Sequence, residues 1–175
     1  MARSDALSLS ARPGSRGPRG RKVAILISDG FESEEVALLH EGLTRAGAIP
    51  RLLAARLGRV PSADSGDLEP DATLETMPSV LFDGVIVPTG AAAGLSFLGH
   101  AIEFIKDQYR HCKPILALGP AEELMAKAGI HAPGEPSADW GLMLSTGRAS
   151  DGLRQFLEAL GRHRNWDRQV DPPQV

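Results

Sequence analysis

The stretch Lys22-Val-Ala-Ile-Leu-Ile-Ser-Asp-Gly30 decides how this chain folds. Five apolar residues in a row, four of them β-branched or leucine and with no polar residue alternating between them, read as a short strand buried on both faces, the situation of a strand inside a parallel sheet. Asp29-Gly30 supplies the break. Beyond it the period changes from continuous to helical. From Ser33, the apolar positions Val36, Leu39, Leu43 and Ala46 recur at three- and four-residue intervals, acidic residues occupy the first turn, and Gly47 ends the run.

The same unit then repeats in type, without any internal sequence repeat. Ile49–Ala54, Asp83–Pro88, Pro114–Leu118 and Gly141–Leu144 read as further strands, and Phe97–His111, Ala121–Ala128 and Gly152–His163 as helices. Strands alternating with helices at this spacing imply βαβ units. The expected fold class is α/β, a three-layer sandwich with a mostly parallel sheet, flavodoxin-like or Rossmann-like. Between Gly58 and Pro78 the alternation lapses into turn residues, including Asp64-Ser-Gly-Asp67, so a β-excursion or irregular crossover is expected there.

At 175 residues with 42% hydrophobic and 23% charged residues, the chain is sized for one compact domain with tails. The net charge of −3 removes the electrostatic argument for wrapping nucleic acid. The charge is uneven: residues 1–22 hold six basic side chains against Asp5 alone, which leaves the remainder at −8. Within them, Pro13-Gly-Ser-Arg-Gly-Pro-Arg-Gly20 has the composition of a linker or arm rather than of a regular element. The longest apolar run, Val23–Ile27, is far short of the ~20 residues of a membrane span, and Leu7 and Leu9 alternate with serines instead of forming a signal-peptide core. A cytoplasmic protein is expected. The expected organisation is a connector over 1–20, one domain over 21–166 and a tail over 167–175.

Ligands of open α/β sheets bind outside the carboxyl ends of the strands, so three loops deserve inspection. The first, Asp29-Gly-Phe-Glu-Ser-Glu-Glu35, is neither a dinucleotide fingerprint nor a P-loop, and its carboxylates would repel a pyrophosphate. Those glutamates read either as charges that complement the helix macrodipole or as catalytic acids. The second, Pro88-Thr-Gly-Ala-Ala-Ala-Gly94, suits close backbone approach and N–H donors for an oxyanion, or is only the turn that starts a helix. The third, Leu118-Gly-Pro-Ala-Glu-Glu123, is the strand-to-helix corner where many α/β enzymes hold a strained nucleophile, and here the corner residue is Gly119.

The one cysteine, Cys112, follows a helix and precedes a strand, on the opposite edge of the sheet from those loops. Its neighbour His111 should point away from it in an extended segment, so a half-buried structural thiol is expected rather than a Cys–His pair. His40-Glu41 lacks a second histidine, Gly94-Leu-Ser-Phe-Leu-Gly99 is not the nucleophile-elbow spacing, and His100, His131 and His163 have no metal-ligand spacing. No metal or cofactor site is expected from these residues, and Tyr109 reads as covering a helix face.

The corner sequences Asp29-Gly-Phe-Glu-x-x-Glu35, Val85-Ile-Val-Pro88 and Lys113-Pro-Ile-Leu-Ala-Leu-Gly119 resemble the ThiJ/PfpI superfamily, the class I glutamine-amidotransferase-like fold. In that family a first-loop glutamate supports a cysteine at the third corner, and amides after the Val-Pro strand complete the pocket. The resemblance places Glu35 at the acid, Gly119 at the cysteine, and Gly90 in the oxyanion stretch, a vestigial constellation that retains the acid and has lost the nucleophile. A closer resemblance, over nearly the whole chain, is to the C-terminal domain of large-subunit heme catalases. Ser4-x-Ala-Leu-Ser-Leu-x-Ala-Arg-Pro-Gly14 is similar to its connector, and Arg56-Leu-Gly-x-Val60, His111-x-Lys-Pro-Ile115 and Leu160-x-x-His-Arg-x-Trp166 to its body and tail.

That resemblance implies a domain with no catalysis of its own, working in hydrogen-peroxide detoxification and the oxidative-stress response by stabilising an assembly or by chaperone-like binding. It implies a catalase core or a second copy of the chain as partner, unfolded proteins as further partners, and neither nucleic acid nor membrane. Heme would belong to the core alone, with no distal histidine and asparagine or proximal tyrosinate in this chain. Two rival expectations stand beside it. One is a stand-alone hydrolase, amidase or glyoxalase-like enzyme using Glu35. The other is a plain interaction module in which Glu32, Glu34 and Glu35 only cap a helix.

Overall fold

A computed structural model of the chain describes residues 17–131 and 139–169. Residues 1–16 of the expected connector and 170–175 of the expected tail lie outside the described residues. Six strands, β1 (Lys22–Leu26), β2 (Ile49–Ala54), β3 (Ala72–Thr73), β4 (Gly84–Val87), β5 (Ile115–Leu118) and β6 (Leu142–Ser145), form one sheet in the order β3-β2-β1-β4-β5-β6. Every pairing is parallel, with Val23 opposite Pro50 on one side and Gly84 on the other. This is the α/β sandwich expected from the alternation.

Five helices cover the sheet: α1 (Ser33–Arg45), α2 (Ala91–Leu95), α3 (Gly99–Arg110), α4 (Glu122–Lys127) and α5 (Ala149–Arg162). Helices α1 and α5 pack together, while α4 packs against both α2 and α3. The double coverage explains the continuous apolar strands: Val23 to Ile27 and Val85 to Val87 are completely buried, so neither side of the pleat has room for a polar alternate. Val36, Leu39 and Leu43 of α1 and Leu153, Phe156 and Leu160 of α5 are the buried stripes, at the spacing of one helical face. Gly42 lets these two helices meet, since a Cβ there would lie 2.3 Å from a Leu153 methyl carbon.

Two stretches are defined more closely than their sequence allowed. After β4, where a glycine-bearing loop or the turn that starts a helix was expected, Ala91 to Leu95 close into the additional short helix α2; consecutive alanines have the strongest helix propensity and three follow Gly90. The segment 58–78 contributes β3, paired to β2, and two isolated bridges, Phe31 to Ser62 and Val60 to Leu68. The sheet itself supplied the partner that makes so short a strand possible. Helix α3 begins at Gly99, two residues later than the periodicity suggested. Strand β1 leads outward to β2 and β4 returns on the other side of β1, so the topological switch point lies between β1 and β4, where a ligand crevice is expected. No helix among the described residues is long and apolar enough to cross a membrane.

Candidate functional site

At the switch point three chain segments converge: the first turn of α1, the residues after β4, and the corner after β5. Glu35, one turn into α1, reaches across to the β4 loop, where its Oε1 accepts from the Thr89 N–H at 2.7 Å and its Oε2 from the Thr89 hydroxyl at 3.0 Å. The Glu32 N–H donates to the Thr89 carbonyl at 3.1 Å, so all the polar groups of Thr89 are engaged by α1. Charge-assisted hydrogen bonds of this kind are stronger than neutral ones.

Gly90 follows with φ 82°, and a Cβ built on it would lie 2.0 Å from the Gly30 carbonyl oxygen. A side chain there would therefore separate the two loops. Gly119, at the corner after β5, has φ 68° and is tied down by its N–H donating to the Ser145 carbonyl at 2.9 Å. This left-handed corner is the backbone conformation that exposes a nucleophile in α/β enzymes. A Cβ at Gly119 would point at Thr89, 3.1 Å from its methyl and 3.4 Å from its hydroxyl. The structure places Glu35, Gly90 and Gly119 around one residue not singled out in the sequence, Thr89. The Thr89 side chain lies where a side chain at the corner would point, and the Thr89 amide and hydroxyl together engage both oxygens of Glu35.

The macrodipole reading of the first-turn acids is corrected at Glu35, whose oxygens serve a loop 54 residues away in sequence. The start of α1 is capped instead by Asp64 of the 58–78 crossover, whose Oδ1 and Oδ2 accept from the Ser33 and Glu34 N–H groups, each at 3.1 Å. Hydrogen bonds from the Ser33 hydroxyl and the Glu34 amide hold the Asp64 carboxyl well below the usual carboxylate range. The turn Asp64-Ser-Gly-Asp67 was visible in the sequence; its role as a remote cap was not.

Cys112 lies away from the site and is fully rather than half buried. The expectation of an extended segment there is corrected: Cys112 has φ 59°, in the turn that ends α3. Burial, the main cause, raises its thiol pKa, which makes it a poor nucleophile. A buried polar cluster surrounds that turn. Arg168 Nε donates to Asp139 Oδ2 at 2.6 Å and its Nη1 to the Lys113 carbonyl at 2.8 Å, and its guanidinium lies 4.6 Å from the centre of the Tyr109 ring. Asn165 Nδ2 donates to Asp139 Oδ1 at 2.7 Å. The resemblance at Leu160-x-x-His-Arg-x-Trp166 pointed to this tail without indicating that it would be buried.

Tyr109 does not suit an axial ligand. A proximal tyrosinate needs its charged form favoured, whereas burial and then Asp139 raise the Tyr109 pKa, and Arg168 covers its ring. Among the described residues no group of three or more His, Cys, Asp or Glu side chains could hold a metal ion.

A six-stranded parallel sheet covered by helices on both faces is an α/β fold that this chain shares with DJ-1/ThiJ/PfpI-like domains. A solved two-domain protein from Anabaena variabilis, containing DJ-1/ThiJ/PfpI-like and ferritin-like domains, superposes with a TM-score of 0.58 over 62% of this chain and 33% of that one, at 22% identity. Within that class the chain belongs to the family of C-terminal domains found in long catalases, which matches residues 19–170. Catalase HPII of Pseudomonas aeruginosa is 35% identical over 154 residues, covering 87% of this chain and 21% of the relative. Catalase-1 of Neurospora crassa is 29% identical over 176 residues, covering 87% and 24%. The chain therefore spans about a fifth to a quarter of the length of these relatives.

Proposed function

We propose that this domain performs no catalysis itself and serves as the accessory domain of a catalase, steadying the assembly with the core that destroys hydrogen peroxide. The observation that carries this reading is the corner at Gly119, where Thr89 occupies the nucleophile's space and Glu35 is committed to Thr89. Glu35, Gly90 and Gly119 are on this reading the residue of an ancestral site. The segment over 1–20 is its connector, 21–166 its folded body and 167–175 its tail, whose Arg168 packs back into that body. The work is done in the cytoplasm, in keeping with a lone free thiol and no disulfide among the described residues. Chaperone-like binding of unfolding chains is a second role, favoured by apolar side chains left in water, Phe97 at 79% and Val80 at 71% exposure.

The test uses the purified chain. Hydrogen peroxide should persist, added heme should keep the Soret band of free heme without the shift that ligation by protein causes, and methylglyoxal and simple amides should be untouched by the wild type and by Glu35→Gln alike. Peroxide turnover, or hydrolysis that disappears in Glu35→Gln, would overturn the reading. For the second role, light scattering from a heat-denatured client should fall when the chain is added and recover with Phe97→Ser and Val80→Ser.

A further inference from the structure

A second crevice opens on the other side of β1 from Glu35, between the carboxyl ends of β1 and β2. It has a volume of about 220 Å³. Its floor is apolar: Ile27 and Val60 are buried, and Leu98 closes one wall. The loop Arg56-Leu-Gly-Arg59, bent at Gly58, sets two guanidinium groups on its rim. Neither Arg56 nor Arg59 has an ion pair or hydrogen bond within the described residues, unlike the arginines at 21, 45, 154 and 168, which all face carboxylates. One carboxylate, Asp29, shares the rim and leaves it a net charge of +1.

We propose that this crevice binds a small organic monoanion, a carboxylate with an apolar body, whose head is held by Arg56 and Arg59 and whose body lies on Ile27, Val60 and Leu98. The location is where open α/β sheets take ligands. A guanidinium offers a planar fork that matches a carboxylate, and the apolar floor offers a surface on which an apolar body can be removed from water. The rim charge of +1 matches a monoanion, and Asp29 would repel a phosphate or pyrophosphate dianion. The site is independent of the Glu35 corner and of any catalytic role.

Sodium benzoate serves as the probe, with benzamide as its neutral isostere and inorganic phosphate as the anion without an apolar body. In amide-resolved NMR of the full chain, benzoate should shift Ser28, Ala55 and Gly94 saturably, and benzamide and phosphate should shift them far less. The double variant Arg56→Gln, Arg59→Gln should weaken benzoate at least about tenfold, as expected for loss of two charge-assisted contacts. Asp29→Asn should tighten it severalfold. Absence of a saturable shift at those amides, equal binding of benzamide, or unchanged affinity in the double variant would overturn the proposal. A phosphate response as strong as that of benzoate would overturn the assignment of an apolar body.

Discussion

Glu35 and Thr89 are bound to each other through both carboxylate oxygens, and this pairing sets what substitution at either should do. Glu35→Gln can keep its oxygen on the Thr89 N–H while its new N–H donates to the Thr89 hydroxyl oxygen, so what is lost is the charge that strengthens both bonds. Urea unfolding should register a loss of about 1–2 kcal/mol; a loss of only a few tenths would mean that Glu35 acts merely as a solvated first-turn charge. The two left-handed glycines should respond differently to alanine. At Gly90 the new methyl meets a carbonyl oxygen at 2.0 Å, which the backbone must move to accommodate, and a loss of about 3 kcal/mol or more is expected. At Gly119 it meets the Thr89 methyl at 3.1 Å and hydroxyl at 3.4 Å, atoms of a side chain that can give by a few tenths of an ångström, so Gly119→Ala should cost about 1–2 kcal/mol, chiefly the left-handed penalty. Thermal melts of the pair check this order, and equal losses would mean the loops do not depend on that contact.

Among the elements, the short helical turn at 166–168 that follows α5 is held by more than its length suggests. Arg168 and Asp139 are 4% and 9% exposed, and the Asn165 N–H donates to the Cys112 carbonyl at 2.8 Å. Arg168→Ala strands Asp139 in a buried site, so a loss of about 3–5 kcal/mol is expected, with Asp139→Asn less damaging because the Asn165 contact can be kept. The strand after this cluster is preceded by another buried cation. Lys113, 3% exposed, donates to the Ser79 carbonyl at 3.1 Å, and burial, then the charge of Arg164, lowers its pKa to about 8. Below that value the folded protein must bury an ammonium that the unfolded chain keeps in water. Stability attributable to Lys113 is therefore full above its unfolded value near ~10.4 and is lost as the pH falls through about 8. Lys113→Met should flatten stability between pH 8 and 10 and leave stability at pH 7 equal or raised, because Gln108 Nε2 still serves the Ser79 carbonyl at 2.8 Å. Denaturation curves at three pH values decide it, and a large loss at pH 7 would contradict the argument.

At the scale of the whole molecule, acid should loosen the amino end of the sheet. Burial alone would raise the pKa of Asp83, but hydrogen bonds from His163 and the Lys22 N–H, with the charge of Arg21, hold it at about 2. Its contribution is complete above the unfolded value near ~3.9 and is lost as the pH falls through about 2. Because the carboxyl is about a quarter exposed, screening reduces the effect to about 1 kcal/mol. Asp83→Asn should remove that part of the slope between pH 4 and 2 in urea titrations, and an unchanged slope would assign acid sensitivity elsewhere.

The chain's local chemistry determined the layers of this molecule. Apolar runs at Val23, Val85 and Ile115 can be satisfied only with helices on both faces, and helical spacing with glycine stops puts those helices between them, so the α/β sandwich follows from neighbours along the chain. The empty corner was legible for the same reason, since a glycine carries no nucleophile wherever it is placed. What Glu35 does with its carboxylate, what caps α1, and what buries Arg168 were decided only by tertiary structure. Their partners lie 54, 30 and 29 residues away, and no local period records them. A hydrogen bond between distant loops depends on the order β3-β2-β1-β4-β5-β6, which brings the ends of β1, β4 and β5 side by side. Only that juxtaposition turns a threonine from a turn residue into the group that engages both carboxylate oxygens of Glu35.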